Sequence, residues 1–385
     1  MFSQAIASEV ARFEVRQRAA GAFTATRQDL SVPFDETLLD AILDPRFGED
    51  TSWTKVALAA IRRQRLERWQ NKIFAIAPLY VTSFCSERCT YCNYRAENKS
   101  TNLQRKRLSL DELAQEVQFL LQRGIRTIEL VYATDPFVRV DRIAQDIELT
   151  KRLVNAAGGG LVGINAEPFD TEEYRTLVAA GLDFAVLWQE TYDQKRYSEV
   201  HVGKTKKVDY AYRVDGIERM ILGGVQHVGM GVLSGLADWR FDWYILLRHI
   251  AHVYSTSGVA PSILGVPRMK DAAGAALHDM SKVPSDVAFN ALVNVCMSFC
   301  PSIRPFVNTR ENWSTCLELS EGGGNLFTFN CSTIPGGYKL GVQGYQFPTF
   351  TFDVVDYASR AQESGLDVML DWRFDGLGQH SRGEA

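Results

Sequence analysis

Residues 74–92 read FAIAPLYVTSFCSERCTYC, in which an apolar and β-branched run at 74–83 leads directly into three cysteines. Seven further runs of the same kind are TIELVYA (127–133), LVGINA (161–166), FAVLWQE (184–190), HVGMGVL (227–233), SILGVPR (262–268), RPFVNT (304–309) and LFTFN (326–330). Longer amphipathic segments separate these runs, and this alternation is typical of repeated βα units around a parallel sheet. Eight such strands predict a closed (β/α)8 barrel of the TIM type, an α/β fold.

Helix signals lie between the predicted strands. Ser109 and Glu112 form a capping box before LAQEVQFLLQRG, and Asp170 and Glu173 form another before YRTLVAAG. A glycine follows the last periodic residue of both segments, which predicts where each helix ends. These signals support the assignment of helices to the intervening segments.

Residue composition and hydrophobic periodicity divide the chain into three parts. Residues 1–72 are rich in Ala, Arg, Glu and Gln with helical periodicity, which predicts a helical N-terminal extension. Residues 73–330 carry the βα rhythm of the barrel. Residues 331–385, which begin near PGGY and contain the helix-like stretch VVDYASRAQESG, are expected to form a C-terminal cap on the barrel.

Composition excludes several classes of function. A net charge of -4 and a pI near 5.9 argue against a nucleic-acid partner, which would require a strongly basic face. No apolar run approaches the ~18 residues that cross a bilayer, and the N-terminus lacks the apolar core of a signal peptide. We therefore expect a cytoplasmic protein without a membrane partner.

The chain has seven cysteines, an odd number that favours thiols or metal ligands over a disulfide framework. Four of them lie in apolar surroundings, where a cysteine most often acts as a small buried hydrophobe. These are Cys296, Cys300, Cys316 and Cys331. Cys331 stands out because it follows the end of the eighth predicted strand.

The other three cysteines, Cys85, Cys89 and Cys92, fall within eight residues of the loop after the first strand. Structural zinc would need a fourth ligand, and no further Cys or His follows before His201. Three thiolates instead fit a four-iron cluster in which one iron stays open to another ligand. Incidental burial of the three cysteines and a zinc site are the remaining alternatives.

Several separated motifs resemble the radical S-adenosylmethionine (SAM) superfamily. They are PLYVTSFCSERCTYC, LWQETYDQKRY, YAYRVDGIERM, GMGVLSGLADWRFD, VPR, NTREN and PGGY. In this order they resemble the tyrosine lyase of thiamine synthesis, 2-iminoacetate synthase, and its relatives in hydrogenase maturation and nosiheptide biosynthesis. The resemblance implies a single 4Fe-4S cluster held by the three cysteines. It also implies SAM at the open iron, as the source of a 5'-deoxyadenosyl radical.

The resemblance also implies residues that contact SAM: Tyr91, Asp135, Asn165, Glu190 and Arg213. Tyr91 precedes the last cysteine, and Asp135 takes the position of a carboxylate that supports the methionine amino group. Asp135 could equally cap a helix ahead of Pro136, and Arg213 could lie on a solvated helix face. Glu190 follows the apolar run FAVLW, so a buried carboxylate there would need a partner.

Substrate binding is expected at Arg310 and Thr328, which match residues that hold an amino-acid carboxylate in the lyases. On its own, Thr328 would be read as strand packing. After the sixth strand the lyases read PRLRP, whereas this chain reads PRMKD, with Lys270 and Asp271 as the departures. This change indicates a rebuilt pocket and leaves the identity of the amino acid open.

Three functional hypotheses remain. The first is a radical lyase that takes hydrogen from the amine of an aromatic L-amino acid and then cleaves a carbon–carbon bond. The second is a radical enzyme that fragments or rearranges another amino-acid-like substrate in cofactor or natural-product biosynthesis. The third is a noncatalytic scaffold. For either enzyme we expect a flavodoxin- or ferredoxin-type electron donor, and a pathway-partner enzyme is a further candidate partner.

Overall fold

The computed structural model describes residues 1–19, 34–44, 46–49, 51–99, 103–328, 331–350 and 354–374. Three helices precede the barrel: α1 (Phe2–Ala19), α2 (Thr37–Leu43) and α3 (Thr51–Trp69). They lie within the segment that the sequence predicts to be a helical extension. Among the described residues, no helix combines the length and the apolar composition that a membrane crossing requires.

Eight parallel strands form the barrel, and the chain returns to its first strand to close it. The strands are β1 (Lys72–Thr82), β2 (Thr127–Tyr132), β3 (Leu161–Asn165), β4 (Phe184–Glu190), β5 (His227–Val232), β6 (Ile263–Gly265), β7 (Arg304–Val307) and β8 (Leu326–Thr328). Each pairs with the next along the chain, and β1 pairs with both β2 and β8. The predicted TIM-type fold is therefore confirmed.

Helices connect the strands around the outside. They are α4 (Leu110–Leu121), α5 (Val140–Ala156), α6 (Thr171–Ala179), α7 (Gln194–Val200), α8 (Tyr210–Val214), α9 (Gly216–Leu222), α10 (Trp239–Ser257), α11 (Asp286–Phe299) and α12 (Trp313–Glu321). The capping box of α4 is present: Ser109 N–H donates to Glu112 at 2.9 Å, and Glu112 N–H donates to Ser109 at 3.2 Å. Gly124 follows this helix with φ of +80°, a conformation that suits glycine.

The sixth and seventh strands are shorter than the apolar runs that predict them. In SILGVPR only Ile263–Gly265 is strand, and in RPFVNT only Arg304–Val307. Pro267 has no N–H to give to a ladder. The residues beyond these strand ends leave the sheet and form loops at the C-terminal end of the barrel, and residues 329–330 lie outside the described part of the chain.

The segment after β8 reaches both ends of the barrel. Near the C-terminal end, Glu116 of α4 accepts backbone hydrogen bonds from Tyr338, Lys339 and Leu340 at 2.7–3.0 Å. The chain then forms α13 (Val354–Glu363) and β9 (Asp367–Met369). Strand β9 pairs with the first residues of β1, on the side opposite β8. The C-terminal segment thus adds a ninth strand at the N-terminal end, which the expectation of a simple cap did not include.

Inside the barrel, the N-terminal half is filled by an apolar layer. Its members are Trp69, Phe74, Ile76, Leu161, Phe184, Val186, Ile263, Phe306, Leu326, Trp372 and Phe374. Trp372 donates its indole N–H to the carbonyl of Ala75 at 2.7 Å. Because this layer closes the N-terminal end, the interior opens only toward the C-terminal ends of the strands.

Candidate active site

The three-cysteine loop follows β1 and forms one wall of the cavity at the C-terminal end of the barrel. Cys85, Cys89 and Cys92 all line this cavity. Arg105 holds the irregular loop, because its guanidinium donates to the carbonyls of Tyr94 at 2.8 Å and Arg95 at 2.7 Å. The loop therefore keeps its shape through side-chain hydrogen bonds to carbonyls that no strand or helix satisfies.

The three thiols are buried close together, which disfavours their charged forms. Burial, together with the neighbouring Cys92 and Cys89, raises the pKa of the Cys85 thiol to about 12. Burial likewise raises the pKa of Cys89 to about 11 and raises that of Cys92. A metal-bound thiolate is deprotonated, so three such thiolates need a cationic centre between them.

Donors around the thiols suit a negatively charged iron–sulfur cluster. Tyr94 N–H donates to Cys92 Sγ at 3.3 Å, and the Gln346 amide lies 3.6 Å from the same sulfur. The nearby Lys207 ammonium opposes the rise in the pKa of all three thiols. Hydrogen bonds and charges of this kind stabilise thiolate-bound iron, so the donor set fits a 4Fe-4S cluster.

Tyr91 lines the cavity, and its hydroxyl is held by a hydrogen bond to His201, which does not line the cavity. Its oxygen lies 2.8 Å from His201 Nε2, and His201 Nδ1 lies 3.1 Å from the carbonyl of Tyr197. Burial lowers the pKa of His201 to about 2, so the ring is neutral. Because a carbonyl only accepts, the ring proton sits on Nδ1, and the Tyr91 hydroxyl donates to Nε2.

Glu190 ends β4 in a backbone conformation that turns its carboxylate into the cavity. Its φ is +72°, and the β4–β5 register shifts between Trp188 and Glu190. Such a bulge redirects a side chain, and left-handed backbone at a non-glycine residue is common at functional sites. The carboxylate lies 3.3 Å from Lys207 Nζ and 3.7 Å from Arg213.

Arg213 is buried against the barrel and does not lie on a solvated helix face. Its guanidinium donates to the carbonyl of Trp188 at 2.6 and 3.0 Å. Glu87, on the cysteine loop, accepts from Thr205 at 2.6 Å through one oxygen, while its other oxygen has no partner in the described residues. This rim presents carboxylates and cations together, as the zwitterionic amino-acid end of SAM requires.

Asn165 and Glu129 lie side by side on β3 and β2. The Asn165 amide donates to Glu129 Oε1 at 2.9 Å, and both residues line the cavity. Glu129 is 3% exposed, and burial raises its pKa to about 7 against the effect of the Asn165 hydrogen bond. The sequence predicts a cofactor contact at Asn165 but does not identify Glu129.

Asp135 lies outside the cavity, which corrects the expectation that it faces the methionine amino group. Arg107 binds its two oxygens at 2.6 Å each, and the Thr82 hydroxyl donates to it at 2.6 Å. It also accepts the N–H of Phe137 at 3.0 Å, a turn contact that resembles the capping alternative. The residue that lines the cavity at this point is Thr134.

Arg310 and Thr328 both line the cavity near its floor. The Arg310 guanidinium stacks 3.3 Å from the centre of the Phe347 ring, and within the described residues its one acceptor is the carbonyl of Arg268 at 3.5 Å. Among the described residues, no carboxylate pairs with Arg310, and its Nε has no hydrogen-bond partner. The Thr328 hydroxyl makes only long contacts, at 3.4 Å, to β7 and the following loop.

The departure at PRMKD divides into a structural and a cavity-facing part. Arg268 is buried in a pair with Glu311, which fixes the loop after β6. Lys270 lines the cavity and lies 3.1 Å from the same Glu311. Asp271 is exposed and pairs with His278 at 2.5 Å. Of the two departures, Lys270 and Asp271, Lys270 is therefore the one that lines the cavity.

Sequence reasoning missed several residues that line the cavity. The chemically distinctive members are Glu87, Glu129, Trp188 and Lys207, whereas Cys331, which also lines the cavity, stands out in the sequence by its position. The alternation of β2 could have identified Glu129, since the strand order places Thr127, Glu129 and Val131 on one face. Lys207 lies in a single 3₁₀ turn, Lys206–Val208, and no sequence signal marked it.

Comparison with known proteins places this site in context. The sequence model of the radical SAM superfamily matches residues 79–245. The chain is 26% identical to the 2-iminoacetate synthase of Salmonella typhimurium over 289 residues, which cover 72% of each chain. It is 29% identical to the 3-methylornithine synthase of Methanosarcina acetivorans over 154 residues, 40% of this chain and 42% of that one.

Among solved structures, the fold matches that of HydG, a maturase of the [FeFe]-hydrogenase, with a TM-score of 0.83. The sequences are 26% identical, and the match covers 94% of this chain and 80% of that one. The likeness thus extends beyond the residues that the superfamily model matches to nearly the whole fold.

Proposed function

Because residues 79–245 match the radical SAM superfamily and most of the chain is similar to 2-iminoacetate synthase, we propose that it is a radical SAM lyase that cleaves a carbon–carbon bond of an aromatic L-amino acid. In this proposal the hydrogen atom is taken from the substrate amine. The reference reaction converts tyrosine to 2-iminoacetate and p-cresol. The similarity to 2-iminoacetate synthase over 72% of the chain supports this class of reaction.

The observation that carries the proposal is the Arg310 guanidinium, which opens onto the same cavity as the three cysteines and pairs with no carboxylate of the described residues. A cation without a counter-ion in a partly dry cavity is strongly disfavoured unless a ligand supplies one. Arginine binds carboxylates in a forked geometry, which fixes their orientation. An amino-acid carboxylate therefore suits this position.

The residues divide the work between cofactor and substrate. Cys85, Cys89 and Cys92 would hold the cluster, which with bound SAM supplies a 5'-deoxyadenosyl radical when an electron arrives. The residues proposed to line the SAM site are Tyr91, Asn165, Glu190 and Arg213.

Arg310 and Thr328 would orient the substrate carboxylate, and this fixes which hydrogen faces the radical. Trp188 and Phe306 exclude water from the cavity floor, which protects a reactive intermediate.

The proposed partners follow from this chemistry. The substrate is a small molecule, a free aromatic amino acid, and a flavodoxin- or ferredoxin-type protein supplies the electron. We propose that the reaction takes place in the cytoplasm. A pathway enzyme that consumes the unstable imine product is a further expected partner.

The test uses enzyme reconstituted anaerobically with iron and sulfide, reduced, and given SAM with each of the twenty L-amino acids. We expect an aromatic amino acid to raise 5'-deoxyadenosine formation above the substrate-free rate and to yield a fragment of its side chain. Arg310→Gln should remove this stimulation and leave the substrate-free rate unchanged. Arg139→Gln, an exposed change of the same kind, serves as the control. No stimulation by any amino acid would reject the proposal.

A second candidate function is the fragmentation or rearrangement of a different amino-acid-like substrate. Lys270 at the cavity and the partial similarity to 3-methylornithine synthase favour it. Substrate-dependent 5'-deoxyadenosine without p-cresol or glyoxylate would support this candidate over the reference reaction.

A further inference from the structure

Glu129 is the acidic side chain of the cavity that lies deepest along its strand. It sits in the middle of β2, opposite Pro78 of β1 and Gly163 of β3. Glu87, Glu167 and Glu190 lie in loops or at a strand end. Asn165 holds one Glu129 oxygen, and within the described part of the chain the other oxygen has no hydrogen-bond partner. A carboxylate in this position is disfavoured unless a ligand completes its hydrogen bonds.

The lining of the same cavity also includes a large aromatic surface, formed by Trp188 and Phe306. The Trp188 indole lies across Gly231 and Gly265, where an added Cβ would come within 2.8 and 2.3 Å of the ring. Phe306 packs edge-on against this indole with ring centres 6.0 Å apart. Two glycines on neighbouring strands thus make room for one large ring, and its exposed surface forms the floor on which a substrate side chain would rest.

Glu129 and Arg310 lie at different places around this floor. Glu129 is on β2 and Arg310 follows β7, with β1 and β8 between them. The pKa of Tyr80 on β1 responds to both charges. Burial is the main cause of its rise, Glu129 raises it as well, and Arg310 lowers it. The cavity therefore presents a cation and a carboxylate to the same ligand, separated by the width of two strands.

We propose that Glu129 determines substrate specificity by accepting a hydrogen bond from a ring O–H or N–H of the aromatic amino acid whose carboxylate binds Arg310. This inference rests on the proposed function and narrows its substrate class to phenolic and indolic amino acids. A site built to bind a polar group rejects the analogue that lacks it, because the buried acceptor is then left unpaired. Phenylalanine should consequently be a poor substrate.

The choice of a neutral ring donor over an ammonium group follows from the surroundings of Glu129. Trp188, Phe306 and Val131 give the floor an apolar aromatic character that suits a ring. The Asn165 amide already satisfies one oxygen, so a single additional donor completes the carboxylate. Lysine and arginine are included in the test as the alternative.

The experiment compares Glu129→Gln, Glu129→Leu and the exposed control Glu148→Gln with the wild-type holoenzyme. Binding is measured with reconstituted enzyme and SAM in the absence of reductant, so that no turnover occurs. The ligands are two matched pairs, tyrosine with phenylalanine and tryptophan with 1-methyltryptophan, together with lysine and arginine. Iron content and substrate-free 5'-deoxyadenosine formation report whether each variant is folded and loaded.

For wild type and Glu148→Gln we expect the ring donor to strengthen binding roughly 10-fold to 100-fold in at least one pair. Glu129→Leu should abolish that difference with unchanged iron content. Glu129→Gln should retain part of it, because an amide oxygen still accepts a hydrogen bond. If Glu129→Leu loses iron, Glu129→Gln and the wild-type pairs decide the question.

Equal binding within both wild-type pairs, or a preference that survives in Glu129→Leu, would overturn the inference and leave the lyase proposal intact. Preference for lysine or arginine that Glu129→Gln abolishes would overturn it in favour of a cationic substrate. If no amino acid binds or stimulates SAM cleavage, both proposals fail together.

Discussion

Two arginines six residues apart, Arg304 and Arg310, sit at opposite ends of the barrel in very different surroundings. Arg304 is 3% exposed in the sealed N-terminal end, where its guanidinium lies 4.4–5.4 Å from the ring centres of four aromatic side chains and donates to the carbonyl of Phe374. Arg310 at the C-terminal end touches one ring and one distant carbonyl. Burial alone therefore does not mark a functional arginine. The difference lies in whether the protein already supplies the groups that stabilise the charge.

The largest expected effect on activity comes from exchanging a cysteine of the three-cysteine loop. Cys85→Ser should abolish the 4Fe-4S absorption and with it all SAM cleavage, because an exchanged thiolate ligand no longer holds its iron. Cys316→Ser, a buried cysteine outside the loop, should keep the iron and lower only stability. Iron and sulfide analysis with 5'-deoxyadenosine assays distinguishes the two. Equal iron in both variants would contradict the assignment of the cluster to this loop.

Exchanging each arginine for methionine tests the comparison directly. Arg310→Met should lower kcat/KM for the amino acid about 100-fold or more, since a forked charge-assisted contact is lost, with little change in Tm. Arg304→Met should leave kcat/KM per folded enzyme unchanged and lower the free energy of unfolding by about 1–3 kcal/mol. Steady-state kinetics and thermal unfolding on the same samples give both values. A lower kcat/KM in Arg304→Met but not in Arg310→Met would contradict the assignment of Arg310 to substrate binding and of Arg304 to stability.

Truncating Trp372 in the apolar layer at the N-terminal end should affect stability without affecting chemistry. Trp372→Ala leaves a cavity in this layer and should lower the free energy of unfolding by about 3–5 kcal/mol. Because Trp372 does not line the active-site cavity, KM for SAM and substrate should not change at low temperature. A raised KM would show that the two ends are mechanically coupled.

An effect that depends on pH is expected at Glu129, in the middle of β2. Its folded pKa of about 7 exceeds the usual 4.5, so the folded state holds the proton more tightly. Stability from this group is present at low pH and is lost as pH rises from about 5 to 7, by up to about 3 kcal/mol. The groups that face it are Tyr80, Asn165 and Cys331.

Thermal unfolding of wild type and Glu129→Gln across this pH window measures the effect. The variant should gain stability relative to wild type as pH rises, whereas Glu148→Gln should follow wild type throughout. A constant difference between Glu129→Gln and wild type would mean that Glu129 titrates normally.

The fold was largely predictable because its signals are local. The apolar runs matched all eight strands, and the capping box at Ser109 and Glu112 identified the first barrel helix. The run SILGVPR overshot its strand, since an apolar composition does not reveal where pairing with neighbours stops. Strand β9 was missed for the same reason: three residues pair only because β1 extends below β2.

The candidate site was harder to predict from the sequence because it depends on the direction in which each side chain points. The sequence motif correctly grouped the three cysteines. The residue after β2 that lines the cavity, however, is Thr134, one position before the predicted Asp135, which instead pairs with Arg107. Glu129 stands alone in an apolar strand, and only the barrel decides that its face is the interior. Lys207 reaches the cysteines across a long connection that no local pattern describes.

The pairing of β9 with β1 has a consequence for assembly. The strand that leads into the cysteine loop takes its last neighbour from residues 367–369, nearly 300 positions later in the chain. Contacts of such high sequence separation form late in folding, and nascent chains emerge from the N-terminus first. We therefore expect the iron–sulfur cluster to be inserted after the whole chain has folded. A chain truncated before β9 should not take up the cluster.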